Sequence, residues 1–217
     1  MNYTEIESVV KKESLSILGG FHPQLKDGAP SNSKTLILLG PDEPNFWEVF
    51  KKSSEYKNSI INPLDNWTER VINSIASKLN AKPIFPFGCP PYQPFYKWAL
   101  RTQRSYESPI KLLVHDKAGL FVSFRGALSF NFIVKLPPTS KSPCIECPAP
   151  CLISCPVNAF ENKSYDSSGC ISHISTTDTK NCIKKGCASR RACPISRNFA
   201  RLPEQSAFHM RAFTKLK

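Results

Sequence analysis

With the proline that follows it, the stretch from Cys144 to Cys155 reads CIECPAPCLISCP, four cysteines spaced three, four and four residues apart. This spacing constrains the fold more than any apolar pattern in the chain. Thiolates separated by two residues can converge on one soft metal centre, a third about a turn later adds a corner, and Cys-Pro is the usual exit of a bacterial-type iron–sulfur loop. The common run has two residues between its second and third cysteines. Here there are three, Pro148, Ala149 and Pro150, an insertion that one stiff residue can absorb. Downstream lie Cys170, Cys182, Cys187 and Cys193, the last again followed by a proline, Pro194. Eight cysteines with two Cys-Pro endings match the ligand count of two 4Fe-4S clusters. Two zinc sites would use as many thiols but do not call for Cys-Pro at both ends. Four disulfides would need an oxidising compartment. Cys89, the ninth, stands apart in FPFGCPPYQPF and reads as a packed or weakly functional thiol.

The remaining composition narrows the compartment and the partners. The first residues, MNYTEIESVVKKESLSILGG, carry Glu5, Glu7 and Glu13 among their apolar positions, which is not a signal-peptide pattern. Uninterrupted apolar runs such as Leu36 to Leu39 are too short to span a bilayer. A soluble cytoplasmic protein is expected, its 217 residues suiting one medium domain and a small one. The formal net charge is +12. Anionic four-thiolate clusters offset only part of it, so the loaded chain stays basic. Such a surface suits docking of an acidic electron donor such as a flavodoxin or ferredoxin. The plainer use of Lys184, Lys185, Arg190 and Arg191 is local compensation of the clusters. Basic residues are scattered through both halves without a long stripe, which argues against nucleic acid.

Periodicity divides the chain into an α+β front half and a cysteine-rich rear. Ile6, Val9, Val10, Ile17 and Leu18 fall along one helical side, predicting a helix over residues 4 to 18 stopped by Gly19-Gly20. TLILL, 35 to 39, reads as a short buried strand. Asn66, with Glu69 three residues on, predicts a helix start, and Trp67, Val71, Ile72, Ile75 and Leu79 keep the helical period as far as Asn80. Ile84 to Phe87 reads as extended, and another helix is predicted from about 93 to 104. IKLLVH and GLFVSFRGALSFNFIV are β-rich segments joined by a turn at 116 to 119. The polar, proline-rich KLPPTSKSP marks a boundary, giving a front domain over residues 1–138 and a cluster domain over 139–217. In the tail, Phe208, Met210 and Phe213 predict a helix closing over the cluster domain.

Two resemblances, one for each half, sharpen this division. The rear resembles the two-cluster ferredoxins, in which the cysteine before proline crosses to the other cluster. That resemblance implies Cys144, Cys147, Cys151 and Cys193 on one cluster, and Cys155, Cys170, Cys182 and Cys187 on the second. CISHIST, 170 to 176, also resembles a Cys-Ile-Ser-Tyr-Leu-Thr-like segment of epoxyqueuosine reductase and its relatives, which join a cobalamin domain to two 4Fe-4S clusters. In the front, FHP (21–23), TLILLGPDEPNFWEVFKK (35–52), NPLDNWTERVINSIASKL (62–79) and LLVHDKAGLFVSFRGAL (112–128) occur in telling order. They resemble the cobalamin-processing proteins of the methylmalonic aciduria and homocystinuria type C family. The most specific element is His-x-x-x-Gly-(Gly/Leu)-(Trp/Phe)-x-x-x-Arg-Gly, here His115, Gly119, Leu120, Phe121, Arg125 and Gly126.

Together these resemblances imply a nitroreductase-like cobalamin-binding domain followed by a ferredoxin-type dicluster domain. Asp116 stands where the processing family tends to have proline, and the arginine-bearing region used there for glutathione is missing. Electrons from clusters therefore replace thiol-driven dealkylation in the implied chemistry. No acid stands out as the proton donor that modified-tRNA reduction would need. A corrin is a broad apolar disc with amide arms and a phosphate-bearing tail, and it calls for aromatic walls and a few donors. Tyr92 and Trp98, with Phe85, Phe87 and Phe95, are expected at such a wall, with Arg125 and the backbone near Gly126 as donors. His115, Gly119 and Phe121 complete the implied contacts, although a strand-end histidine is also often a plain hydrogen-bonded group. The expected function is cobalamin reduction or processing by an iron–sulfur oxidoreductase. Its alternatives are a non-catalytic electron carrier with a ligand- or partner-binding front domain, and a cluster-based sensor acting on nucleic acid.

Overall fold

The computed structural model describes residues 1–58, 60–161, 164–176 and 181–214. It is a mixed α+β structure with small antiparallel sheets. Among the described residues no helix is long and apolar enough to cross a membrane. The chain forms two compact units, Met1–Ser105 with Ser123–Ser140, and Tyr106–Val122 with Lys141–Lys217.

In the first unit, α1 (Tyr3–Lys12) opens with a capping box: the Glu5 N–H donates to the Asn2 side chain and the Asn2 N–H to the Glu5 carboxylate. The helix stops well before residue 18. Ser14 takes a left-handed φ of 56°, and the chain turns into β1 (Leu15–Phe21), so Ile17 and Leu18 sit in a strand. Both fitted the helical period with Val10, and the turn at Ser14 left no glycine or proline to betray it. Gly19 does not end a helix but takes up a bulge in the pairing of β1 with β2 (Thr35–Pro41). Its φ is 137°, and a Cβ there would lie 2.7 Å from Thr102 Cβ, so only glycine fits.

The strand order is β1-β2-β6-β3, with β3 at Lys82–Ile84 and β6 at Gly126–Phe130, antiparallel throughout. Every residue of β2 and β6 is buried, so both faces of the sheet centre are covered. Between β2 and β3 run α2 (Asn45–Lys52), α3 (Ser54–Lys57) and α4 (Pro63–Leu79). The cap of α4 is Asn62, not Asn66. Asn62 has φ 53°, Pro63 occupies the first turn where a missing N–H costs nothing, and the Asn66 amide donates back to the Ile61 and Asn62 carbonyls. Phe46 and Trp67 meet edge to face at 5.3 Å, and Phe50 and Tyr56 at 5.2 Å. Then α5 (Phe95–Arg101) leads out of the proline-rich loop.

The second unit begins in β4 (Ser105–Glu107), which pairs with β5 (Leu113–His115) as a two-stranded sheet. Of the two β-rich segments expected over 110–115 and 119–134, the first supplies β5 and the second only β6, in a different sheet. The cysteine loops follow, with α6 (Ser167–Thr176), α7 (Cys182–Lys185), α8 (Ala188–Ala192), α9 (Pro194–Arg197) and α10 (Pro203–Thr214). One segment departs from the expected division at residue 138. Residues 106–122 group with the cysteines, because Ile110, Val114 and Leu120 share a buried cluster with Cys151, Cys155, Ala159, Phe160 and Cys193.

Candidate functional site

Proline shapes the ends of both cysteine stretches. Pro194 forces the preceding residue out of the helical region, and Cys193 lies extended at φ −60°, ψ 122°, ending α8 and capping α9. In the first stretch the one extra residue is absorbed by Ala149, which takes a left-handed φ of 52° while its carbonyl accepts from the Leu152 N–H. Cys151, Cys155, Cys182 and Cys193 are buried, and Cys144, Cys147, Cys170 and Cys187 are half-buried.

These eight thiols sort into two groups. Cys144, Cys147, Cys151 and Cys193 line one cavity with Val114, Leu120, Ala149, Pro150 and Pro194 among its walls. Cys155, Cys170, Cys182 and Cys187 line another with Phe160, His173, Ile174 and Met210. The thiols that share a cavity are those that the crossover assignment grouped. Among the described residues no three Cys, His, Asp or Glu side chains gather as a site for a single metal ion. The sulfurs instead surround open space. Burial pushes the Cys144, Cys151, Cys170 and Cys182 thiols up, and neighbouring thiols of the same set push them further. Four thiolates in an apolar cavity repel one another unless a cationic centre joins them, so the donor set fits a polynuclear iron–sulfur group.

One hydrogen bond reaches a sulfur directly: the Ala159 N–H donates to Cys155 Sγ at 3.3 Å. Beside the first set, the Cys144 N–H donates to the Ser142 hydroxyl oxygen at 3.3 Å. The phenol of Tyr165 is pushed up, first by burial and then by the neighbouring Cys170 thiol.

The segment 106–122 braces the second Cys-Pro helix. Gly119, at φ +57°, lies so close to α9 that a Cβ would stand 2.4 Å from the Ser196 backbone nitrogen. The Leu120 N–H donates to Ser196 Oγ at 2.8 Å, Arg190 donates to the Leu120 carbonyl at 3.0 Å and Arg201 to the Phe121 carbonyl at 3.1 Å. No family model and no curated relative matches the sequence. A solved structure titled as selenomethionine-labelled epoxyqueuosine reductase aligns with a TM-score of 0.48 at 12% identity, covering 94% of this chain and 71% of that chain.

The residues expected around a corrin are divided between the two units. His115, Gly119 and Phe121 belong to the second unit, and Tyr92, Trp98, Arg125 and Gly126 to the first. His115 is fully buried, its Nδ1 accepting from the Lys117 and Ala118 N–H groups. Phe121 lies beneath the Arg201 guanidinium at 5.5 Å. Trp98 is fully buried and its indole N–H donates to the Asp27 carbonyl. Arg125, 14% exposed, pairs with Asp65 at 3.3 Å. Gly126 starts β6, where a Cβ would lie 2.6 Å from Ile72 Cδ1. Only Tyr92 of the seven is exposed. Cys89 is exposed and belongs to the first unit, whereas both sets belong to the second. Sequence reasoning missed Ser142, Ala159, Tyr165 and Ser196, since nothing in their spacing sets them apart.

Proposed function

We propose that the chain is an iron–sulfur redox protein carrying two 4Fe-4S clusters, one on Cys144, Cys147, Cys151 and Cys193 and the other on Cys155, Cys170, Cys182 and Cys187. The observation that supports this is the sorting of eight thiols into two apolar cavities, each taking three from one stretch and one from the other. Such centres supply one-electron transfer, at potentials tuned by charge, hydrogen bonds to sulfur and exposure. The protein's own residues keep water out, with Val114, Leu120, Phe160 and Ile174 at the walls, and present the Ala159 N–H to the Cys155 sulfur. An acidic redox protein is the proposed electron donor, drawn by the net charge of +12.

Cobalamin is the proposed acceptor, on the sequence resemblance of the front half, which also implies a nitroreductase-like fold there. Trp98, His115 and Arg125 already have protein partners, so in this reading Tyr92 is the exposed residue that meets the ligand. Anaerobic reconstitution with metal analysis, followed by a cobalamin titration, tests both parts. About eight irons per chain are expected, with corrin absorption co-migrating with the protein. Zinc with little iron overturns the cluster reading. Iron without corrin binding at micromolar concentrations leaves a non-catalytic electron carrier.

A further inference from the structure

We infer that the Ser108 and Ser189 hydroxyls donate hydrogen bonds to the inorganic sulfides of the two clusters, Ser108 beside the first set of thiols and Ser189 beside the second. This rests on the cluster reading above. Both side chains are buried, Ser108 at 4% exposure and Ser189 at 0%. Neither Oγ has a hydrogen-bond partner. A buried hydroxyl normally finds one, and a hydroxyl left without it has lost its water for nothing in return. Location separates these two from the other orphaned hydroxyls, those of Ser33, Thr68 and Ser105, which belong to the first unit. Ser108 lines the cavity of Cys144, Cys147, Cys151 and Cys193, where among the described residues it is the one polar side chain besides the thiols. Ser189 lines the cavity of Cys155, Cys170, Cys182 and Cys187, which it shares with the half-buried His173. Each thiol set thus has one orphaned O–H in its wall.

The backbone holds both serines in place. The Ser108 N–H donates to the Leu112 carbonyl and the Ser108 carbonyl accepts from the Lys111 N–H, both at 2.9 Å. These bonds close the turn from β4 to β5 and leave only the hydroxyl uncommitted. Ser189 stands in the first turn of α8, two residues after Cys187, whose carbonyl accepts from the Arg191 N–H at 3.1 Å. A serine O–H rotates about a single bond to meet an acceptor. Because neither Oγ is bonded to a cysteine Sγ, the acceptor is the sulfide that a 4Fe-4S centre brings into the cavity. One-electron reduction adds negative charge to the centre, and a donor to its sulfur stabilises the more negative state more. Each serine therefore raises the reduction potential of the centre in its own cavity.

The test is an anaerobic titration of the reconstituted full chain with titanium(III) citrate, read by paramagnetic resonance, on wild type, Ser108→Ala and Ser189→Ala. Each variant should lower one midpoint by up to about tenfold in the reduction equilibrium, which is about 59 mV for one electron. The other midpoint and the iron content should stay unchanged. Spectra of Cys193→Ala and Cys155→Ala, each lacking one centre, identify which has moved. A hydroxyl that only fills space, or that bonds to a trapped water, moves neither midpoint. An iron-replete variant with both midpoints unmoved, or with the shift in the other cavity's centre, overturns the inference for its serine and leaves the cluster reading standing. Should Ser189→Ala fail to hold iron, Ser108→Ala, placed in a turn outside the cysteine stretches, decides by itself. Wild-type protein that takes up no iron overturns the cluster reading and this inference together.

Discussion

The first unit buries Leu36, Ile37, Leu38, Leu39, Phe46, Trp67 and Ile72 in a core of hydrocarbon and aromatic side chains, whereas the second counts Cys151, Cys155 and Cys193 among its buried members. Secondary structure follows the same contrast. The first unit has a four-stranded sheet and a helix of 17 residues, while α7, α8 and α9 of the second have four, five and four. Helices that short do not persist on their own, since each pays for nucleation over few bonds. The difference teaches that the core of the first unit is made of apolar side chains, while that of the second also depends on whatever joins its sulfurs.

The largest effect that would break this comparison is removal of iron. An iron chelator under reducing conditions should abolish the ordered structure of the second unit while the first keeps its cooperative thermal transition, as circular dichroism and hydrogen exchange would report. Equal protection of both units after iron loss would mean that the cysteine-rich core stands unaided. Next in size is the exchange of ligands between stretches. Cys193→Ala should remove mainly the cluster of Cys144, Cys147 and Cys151, Cys155→Ala mainly the other, and Cys89→Ala neither, read by iron content and resonance of the reduced protein. The opposite pairing in those spectra would show that the Cys-Pro thiols stay with their own stretch.

A substitution confined to the first core sharpens the contrast from the other side. Trp67→Ala, at a site 2% exposed, should cost about 3–5 kcal/mol in denaturant unfolding of the first unit and leave iron content unchanged. The smallest effect is electrostatic. The Arg70 guanidinium donates to Glu55 at 2.5 and 3.1 Å and holds its carboxyl down at about 2. An unfolded glutamate titrates near about 4.3, so the pair's stabilisation is complete above that pH and fades as the pH falls towards about 2. With Arg70 58% exposed, the gain is below about 1 kcal/mol. Glu55→Gln should thus lower the first unit's melting temperature slightly at pH 7, with the gap closing below pH 4; a gap that widens in acid would reverse the assignment.

How far the sequence could be read follows the same line. β2, the body of α4 and α5 were legible as local runs of residues that the fold buries, and α10 by helical spacing alone, since Phe208 and Met210 are half-buried and Phe213 is exposed. β1 was not, since Ile17 and Leu18 satisfy helical spacing and the deciding turn at Ser14 carries no punctuating residue. The cysteine stretches announced themselves by spacing. The part played by residues 112–122 did not, because the approach of Gly119 to Ser196 and the bonds from Arg190 and Arg201 join residues some seventy to eighty apart in the chain. The lysines and arginines near the second stretch looked alike in sequence; folding separates exposed Lys184 and Lys185 from Arg190, Arg191 and Arg201, whose guanidiniums donate to backbone carbonyls.

The brace formed by residues 106–122 has a consequence for modularity. A ferredoxin-like tail is ordinarily thought of as portable, to be cut off and grafted as one continuous length of chain. Here the tail borrows a hairpin from the interior of the preceding sequence, so a fragment beginning at residue 139 would take Ser196, Arg190 and Arg201 away from the main-chain groups that they bind. The second unit can be transplanted only as two strips of sequence, and a recombination breakpoint between residues 122 and 141 would separate them.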